Sequence, residues 1–121
     1  MDELLDDARG LAASAIERME AQDIRDAAEK AWITTKRAAD ALALARTGEE
    51  PRTSGQRARQ MRVLRRDDAF IDLYREYFSR QAELRGNCAY DGNCEPIEAI
   101  EAQIRETNAF IEECQRRAVG P

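Results

Sequence analysis

Apolar residues recur every three or four positions along almost the whole chain, a spacing that fits one face of an α-helix and not the two-residue alternation of a strand. Leu4, Ala8, Leu11, Ala15 and Met19 predict a first helix over residues 2–20. Ile24, Ala27, Ala31, Thr35, Ala38, Leu42 and Ala45 predict a second over residues 23–46, which at about 1.5 Å per residue is roughly 36 Å long. Its stripe is rich in alanine, so neighbouring helices can approach closely. Trp32 sits beside that stripe, where a single tryptophan most often anchors a core or an interface.

Turn and cap residues divide the rest. Thr47-Gly48-Glu49-Glu50-Pro51 reads as a helix stop, with Gly just past the end and Pro soon after. Thr53 and Gln56 fit a capping box that opens a helix over residues 54–66, with a thin apolar edge of Ala58, Met61 and Leu64. Phe70, Leu73, Tyr74, Tyr77 and Phe78 give residues 68–85 a wide aromatic face, on a helix that is either separate from the preceding one or continuous with it through a bend. Gly86 is expected to end it, with Asn87 and Asp91-Gly92 favouring a turn and Pro96 suiting the start of the next helix. Ile97, Ile100, Ile104, Thr107, Ile111 and Cys114 stripe a final helix over residues 96–118, stopped by Gly120-Pro121. The expectation is a single all-α domain over residues 1–121, an antiparallel bundle of four to five helices with helix 2 and the last helix at its centre.

The 121-residue length suits one domain, which should bury roughly two-thirds of its unfolded surface. No apolar run approaches the ~18 residues of a bilayer span, and the acidic start MDELLDDARG lacks the pattern of a secretory leader. A soluble, cytoplasmic protein without membrane association is expected.

Charge is unevenly spread around a net −5. Residues 1–29 hold nine acids against three arginines, residues 52–66 hold six arginines and no acid, and residues 67–121 hold twelve acids against six arginines. The global acidity disfavours nonspecific nucleic-acid binding, but Arg57, Arg59, Arg62, Arg65 and Arg66, with Arg52, remain a candidate nucleic-acid surface. The ordinary role of such a segment, and the favoured one, is a solvated helix paired with acidic helices of the same or another chain. Lysine is nearly absent: Lys30 and Lys36 stand against 17 arginines.

The chain contains no histidine. That removes a Ser-His-Asp triad, a Cys-His dyad and an HExxH zinc site, and with them the Glu-x-x-His pairs of di-iron bundles. No phosphate-cradling GxxxxGK[ST] or GxGxxG occurs. A carboxylate-only metal enzyme is the weakest alternative, because the clusters Asp2, Asp6, Asp7 and Asp67, Asp68, Asp72 suit solvated helix faces. No catalytic residue, metal site or cofactor is expected.

Cys88 and Cys94 flank five turn-forming residues in LRGNCAYDGNC (84–94). Zinc needs more ligands than these two and the distant Cys114 offer. A Cys88–Cys94 disulfide closing a short loop is one reading and two free thiols in a tight turn the other. Cys114 continues the last apolar stripe as a small buried hydrophobe.

The stretches AAEKAWITTKRAADALALARTGEEPRTS (27–54) and LYREYFSRQAELRGNCAYDGNC (73–94), followed by a long isoleucine-striped helix, resemble the HEPN superfamily of small helical bundles. More narrowly, they are similar to the archaeal paralogous-repeat (PaREP-type) proteins. The resemblance implies a homodimeric bundle, with a toxin–antitoxin or nucleotide-related setting and a nucleotidyltransferase-type partner protein. In the active branch it implies RNA cleavage through an arginine, four to six residues, then histidine. Here Arg80 is followed after four residues by Arg85, and Arg105 by Phe110 and Ile111 at the matching distances. A guanidinium cannot act as general base near neutral pH, so a noncatalytic binding or interaction module is the expected function. Arg80, Arg85 and Lys36 are its candidate ligand-binding residues. For Arg85, capping of helix carbonyls or pairing with Glu83 or Glu95 is the favoured ordinary role, and bidentate binding of a phosphate or carboxylate the functional one. The alanine-rich helix 2 and the aromatic face Phe70, Tyr74, Tyr77 and Phe78 offer more apolar surface than one small bundle should cover, which also points to a homodimer.

Overall fold

The computed structural model describes residues 2–119. Helix α1 spans Asp2–Glu20, α2 Ile24–Thr47, α3 Ser54–Arg65, α4 Ile71–Arg80, α5 Ile97–Arg105 and α6 Thr107–Val119. A short 3₁₀ turn, Asp68–Phe70, precedes α4, and α4 runs on into a π-helical segment, Gln81–Tyr90. The described residues contain no strand, and they form the expected all-α bundle. None of their helices is long and apolar enough to cross a membrane.

Helix α2 is the axis of the bundle: it touches α1, α3, α4, the π-helical segment, α5 and α6. Its alanines make this possible. Ala27, Ala28, Ala31, Ala38, Ala39, Ala41 and Ala43 are all buried, so helices close in on several sides of it. Thr34 and Thr35 are buried among them and return their hydroxyls to the carbonyls of Lys30 and Ala31, at 2.7 and 2.8 Å. Asp23 opens α2 by accepting from the N–H of Asp26. Gly48 closes it at φ 80°, donating to the carbonyl of Leu44 at 2.9 Å, a left-handed geometry that glycine adopts without a Cβ penalty.

The capping box forms in altered shape. Thr53 Oγ1 accepts from the Gln56 N–H at 3.1 Å as expected, but the Gln56 carboxamide accepts from the N–H of Arg52, one residue further upstream, at 2.7 Å. Beyond α3, two sequence expectations need correction. Gly86 does not end its helix: the segment continues as a π-helix to Tyr90, and the glycine that turns the chain is Gly92, at φ 75°. The predicted final helix is two helices broken at Glu106. At the break the guanidinium of Arg80 takes the carbonyl of Gln103, which the hydroxyl of Thr107 also bonds, and a side chain inserted into the backbone ladder is a recognised cause of helix bending. The apolar stripe survives it, since Ile100, Ile104, Thr107, Ile111 and Cys114 are all buried. The expected stop at Gly120-Pro121 lies outside the described residues.

Little of the apolar surface that suggested a partner chain is open. Helices α1 and α6 pack along α2, Phe70 and Tyr77 are buried, Tyr74 is half-buried, and Phe78 is 36% exposed.

A cationic groove between α2, α3 and the π-helical segment

The candidate site residues separate once their surroundings are known. Arg80 is not at a surface. It is 2% exposed, donates from Nε to Thr35 Oγ1 at 2.9 Å and from Nη1 to the Gln103 carbonyl at 3.0 Å, and also bonds Thr107 Oγ1. Its guanidinium lies over the Phe110 ring, 5.7 Å from the centroid. Burial lowers its pKa to about 10, against the pull of Glu76 and Glu106. Arg80 is therefore a buried tie between α2, α4 and the α5–α6 break, and not a ligand-binding residue.

Arg57 is likewise engaged. It meets Asp40 with two parallel bonds, Nε to Oδ1 at 2.8 Å and Nη2 to Oδ2 at 3.0 Å, joining α3 to α2. Burial pushes the Asp40 carboxyl up while Arg57 holds it down, burial being the larger effect; the same bonds raise Arg57. Arg65 stands over the Tyr74 ring at 5.2 Å. This leaves Arg52, Arg59, Arg62 and Arg66 as exposed members of the basic segment with no ring or ion-pair contact of this kind among the described residues.

Lys36 and Arg85 behave differently. Two adjoining cavities open beside α2, of about 280 and 300 Å³, and Trp32, Lys36 and Arg85 line both. The first reaches toward α3, where Met61, Tyr77 and Phe78 wall it. The second reaches along the π-helical segment to Ala89 and Tyr90, with Ile33 and Glu29 opposite. Lys36 is half-buried and Arg85 exposed. Neither makes an ion pair or hydrogen bond with any described residue, so the favoured ordinary role of Arg85, capping or pairing with Glu83 or Glu95, is not the one the structure shows. Burial, and after it the nearby Arg57, lower the pKa of Lys36; Arg37 and Arg85 act in the same direction and Asp40 against it. Two cations without carboxylate partners thus share one groove.

The walls of the groove are fixed from behind. Trp32 is 5% exposed and packs on Tyr77 with ring centroids 5.2 Å apart, and Tyr77 meets Phe78 edge-on at 5.1 Å. Burial pushes the Tyr77 phenol up to about 12, so it stays neutral. The π-helical segment that carries Arg85 and Tyr90 is tied down at its end by a disulfide between Cys88 and Cys94. Arg25 from α2 adds bonds to the carbonyls of Ala89 and Tyr90, at 3.0 and 3.1 Å, and fills the space beside Gly92, where a Cβ would come within 3.2 Å of its guanidinium. Cys114 is free and buried, and burial raises its thiol well above the ordinary range.

Sequence reasoning named Lys36 and Arg85 as ligand-binding candidates, placed Tyr77 only on an aromatic face, and singled out neither Tyr90, Asp40 nor Arg25. Asp40 alone carried a signal, as a carboxylate set within an alanine-rich stripe. Among the described residues no group of three or more acidic or cysteine side chains is placed to hold a metal ion. Comparison with known proteins returns no matching family model, no similar curated protein and no similar solved structure.

Proposed function

We propose that the chain is a noncatalytic, HEPN-like binding module whose groove takes an anionic ligand bearing a flat or apolar portion. The observation that carries this reading is the pairing of Lys36 and Arg85, both without a protein counter-ion, in a groove walled by Trp32, Tyr77 and Phe78. Ligand sites are typically apolar clefts with a few placed polar groups, and a cation left without a carboxylate in such a cleft favours a ligand that supplies one or a phosphate. The absence of histidine supports the noncatalytic assignment, because the arginine at the family's histidine position is Arg85. The resemblance to the HEPN superfamily supports a homodimer, a nucleotidyltransferase-type partner and a nucleotide-related setting. Adenosine monophosphate is a suitable first probe: it should quench or enhance Trp32 fluorescence in a saturable way, and lose that effect in Arg85→Ala.

A second reading, binding of RNA along α3, draws on the exposure of Arg59 and Arg62 on that helix and of Arg66 at its C-cap. Phosphate contacts release counterions, so RNA binding through these residues would weaken steeply with salt and decline in an Arg59, Arg62, Arg66 triple alanine variant. A weak response unchanged by that variant would set this reading aside.

A further inference from the structure

We propose that Lys36 is a reactive amine that forms an imine with aldehydes or ketones carrying an anionic group, the anion resting on Arg85. This deepens the groove reading above and rests on it. Three observations carry the inference. Lys36 stands where the two cavities meet, half-buried between Trp32 and Arg85. It makes no ion pair or hydrogen bond among the described residues, so its nitrogen is not committed to a carboxylate. Arg85 lines both cavities with it and makes no ion pair with any described residue, while the other charges at the groove are Arg57, which is bonded to Asp40, and Glu29 at the far side of the second cavity.

Those surroundings have a chemical consequence. An amine nucleophile needs an unprotonated nitrogen, and desolvation or an adjacent cation raises that fraction at neutral pH. Burial, followed by Arg57, acts in that direction on Lys36, with Arg37 and Arg85 adding to it and Asp40 opposing it. Arg85 serves a second purpose, because a fixed cation beside the amine collects a carbonyl compound that bears a phosphate or carboxylate and raises its local concentration.

The step balances without an oxidant or reductant. The Lys36 nitrogen lone pair attacks the carbonyl carbon, forming a C–N bond. The resulting carbinolamine loses its oxygen as water, leaving a C=N bond. Binding of the anion precedes this step and does not depend on it.

The chain supplies its own control. It has two lysines, and Lys30 is held in an ion pair with Asp26 at 2.9 Å. The full chain is incubated with pyridoxal 5′-phosphate near pH 7.5, reduced with borohydride to trap the imine, digested, and analysed by mass spectrometry for adducts at Lys36, Lys30 and the amino terminus. Lys36 should label at least tenfold faster than Lys30. Arg85→Ala should slow Lys36 labelling severalfold, as should replacing the probe with pyridoxal, which lacks the phosphate. Lys36→Arg keeps the positive charge and should lose the trapped adduct while its circular dichroism stays unchanged. Labelling of Lys30 at the same rate, or Lys36 labelling that ignores both Arg85 and the phosphate, would overturn the proposal. Pyridoxine 5′-phosphate, an alcohol that cannot form an imine, separates the two layers. If it perturbs Trp32 fluorescence in an Arg85-dependent way and the aldehyde still fails to label Lys36, the imine inference fails and the groove reading stands. If it does not bind and Lys36 is unlabelled, both fail.

Discussion

The Nε of Arg80 donates to the hydroxyl of Thr35 at 2.9 Å, setting a guanidinium against the central helix of the bundle with no carboxylate bonded to it. Hydroxyls and a carbonyl satisfy it, and the Phe110 ring covers it. The two threonines do not need the arginine in return: Thr35 Oγ1 already donates to the Ala31 carbonyl and Thr107 Oγ1 to that of Gln103. Arg80→Met should therefore cost less than about 1.5 kcal/mol, since it keeps most of the volume and removes a buried charge. Arg80→Ala should cost about 3 kcal/mol, because it leaves a cavity. Urea unfolding of the two variants checks the order, and a methionine variant less stable than the alanine variant would contradict it.

The Asp40–Arg57 pair should respond in the opposite sense. Asp40→Ala strands a half-buried guanidinium, and about 2 kcal/mol should be lost, less than the ~3–5 kcal/mol of a fully buried pair because Arg57 retains some solvent. A double-mutant cycle with Arg57→Ala should give a coupling above about 1 kcal/mol. The same cycle on the exposed Asp6–Arg9 pair should give close to none.

Joining Cys88 to Cys94 constrains a short loop in the unfolded chain, which by the chain-entropy argument contributes about 2 kcal/mol. Dithiothreitol should lower the stability of the native chain by about that amount and leave Cys94→Ala unaffected. Equal sensitivity of both proteins would contradict the assignment. Reduction should also weaken ligand binding, because Arg85 and Tyr90 lie on the segment that the disulfide closes.

Acid should test the link between α4 and α6. Arg117 bonds both oxygens of Asp72 at 2.8 Å and holds its carboxyl down to about 2, from an ordinary value near 3.8. A depressed carboxylate stabilises the fold above its unfolded pKa, and the contribution disappears as pH falls from about 4 through 2. Asp72 is 71% exposed, so solvent screening limits the effect to less than about 1 kcal/mol. Asp72→Asn should flatten the stability–pH curve in that window and nowhere else.

The bundle was readable because its stripes are long. The boundaries of α1, α2 and α3 follow from the apolar period and from the caps at Gly48 and Thr53. Where tertiary contacts override local signals, the reading failed. Gly86 looks like a terminator, yet its helix continues, tied beyond it by the Cys88–Cys94 bond and by Arg25, 64 and 65 residues away in sequence and far outside any local periodicity window. At the break by Glu106 the Gln103 carbonyl is bonded by Arg80, again a distant residue. Burial sorted the arginines: Arg80 and Arg85 look alike in sequence, but one is sealed in the bundle and the other opens onto a groove. The alanine-rich face read as surplus apolar surface because its covering helices, α1 and α6, lie at opposite ends of the chain.

Trp32 is the chain's single tryptophan and lines both halves of the groove, so its fluorescence reports on the proposed site without a label. Titration with adenosine monophosphate, with adenosine as the uncharged control, tests the central claim. The account predicts a saturable change for the monophosphate, an affinity at least tenfold weaker for adenosine, and a comparable loss in a Lys36→Ala, Arg85→Ala double variant that retains its helical circular dichroism. A response of equal strength to adenosine, or one untouched by the double variant, would contradict it.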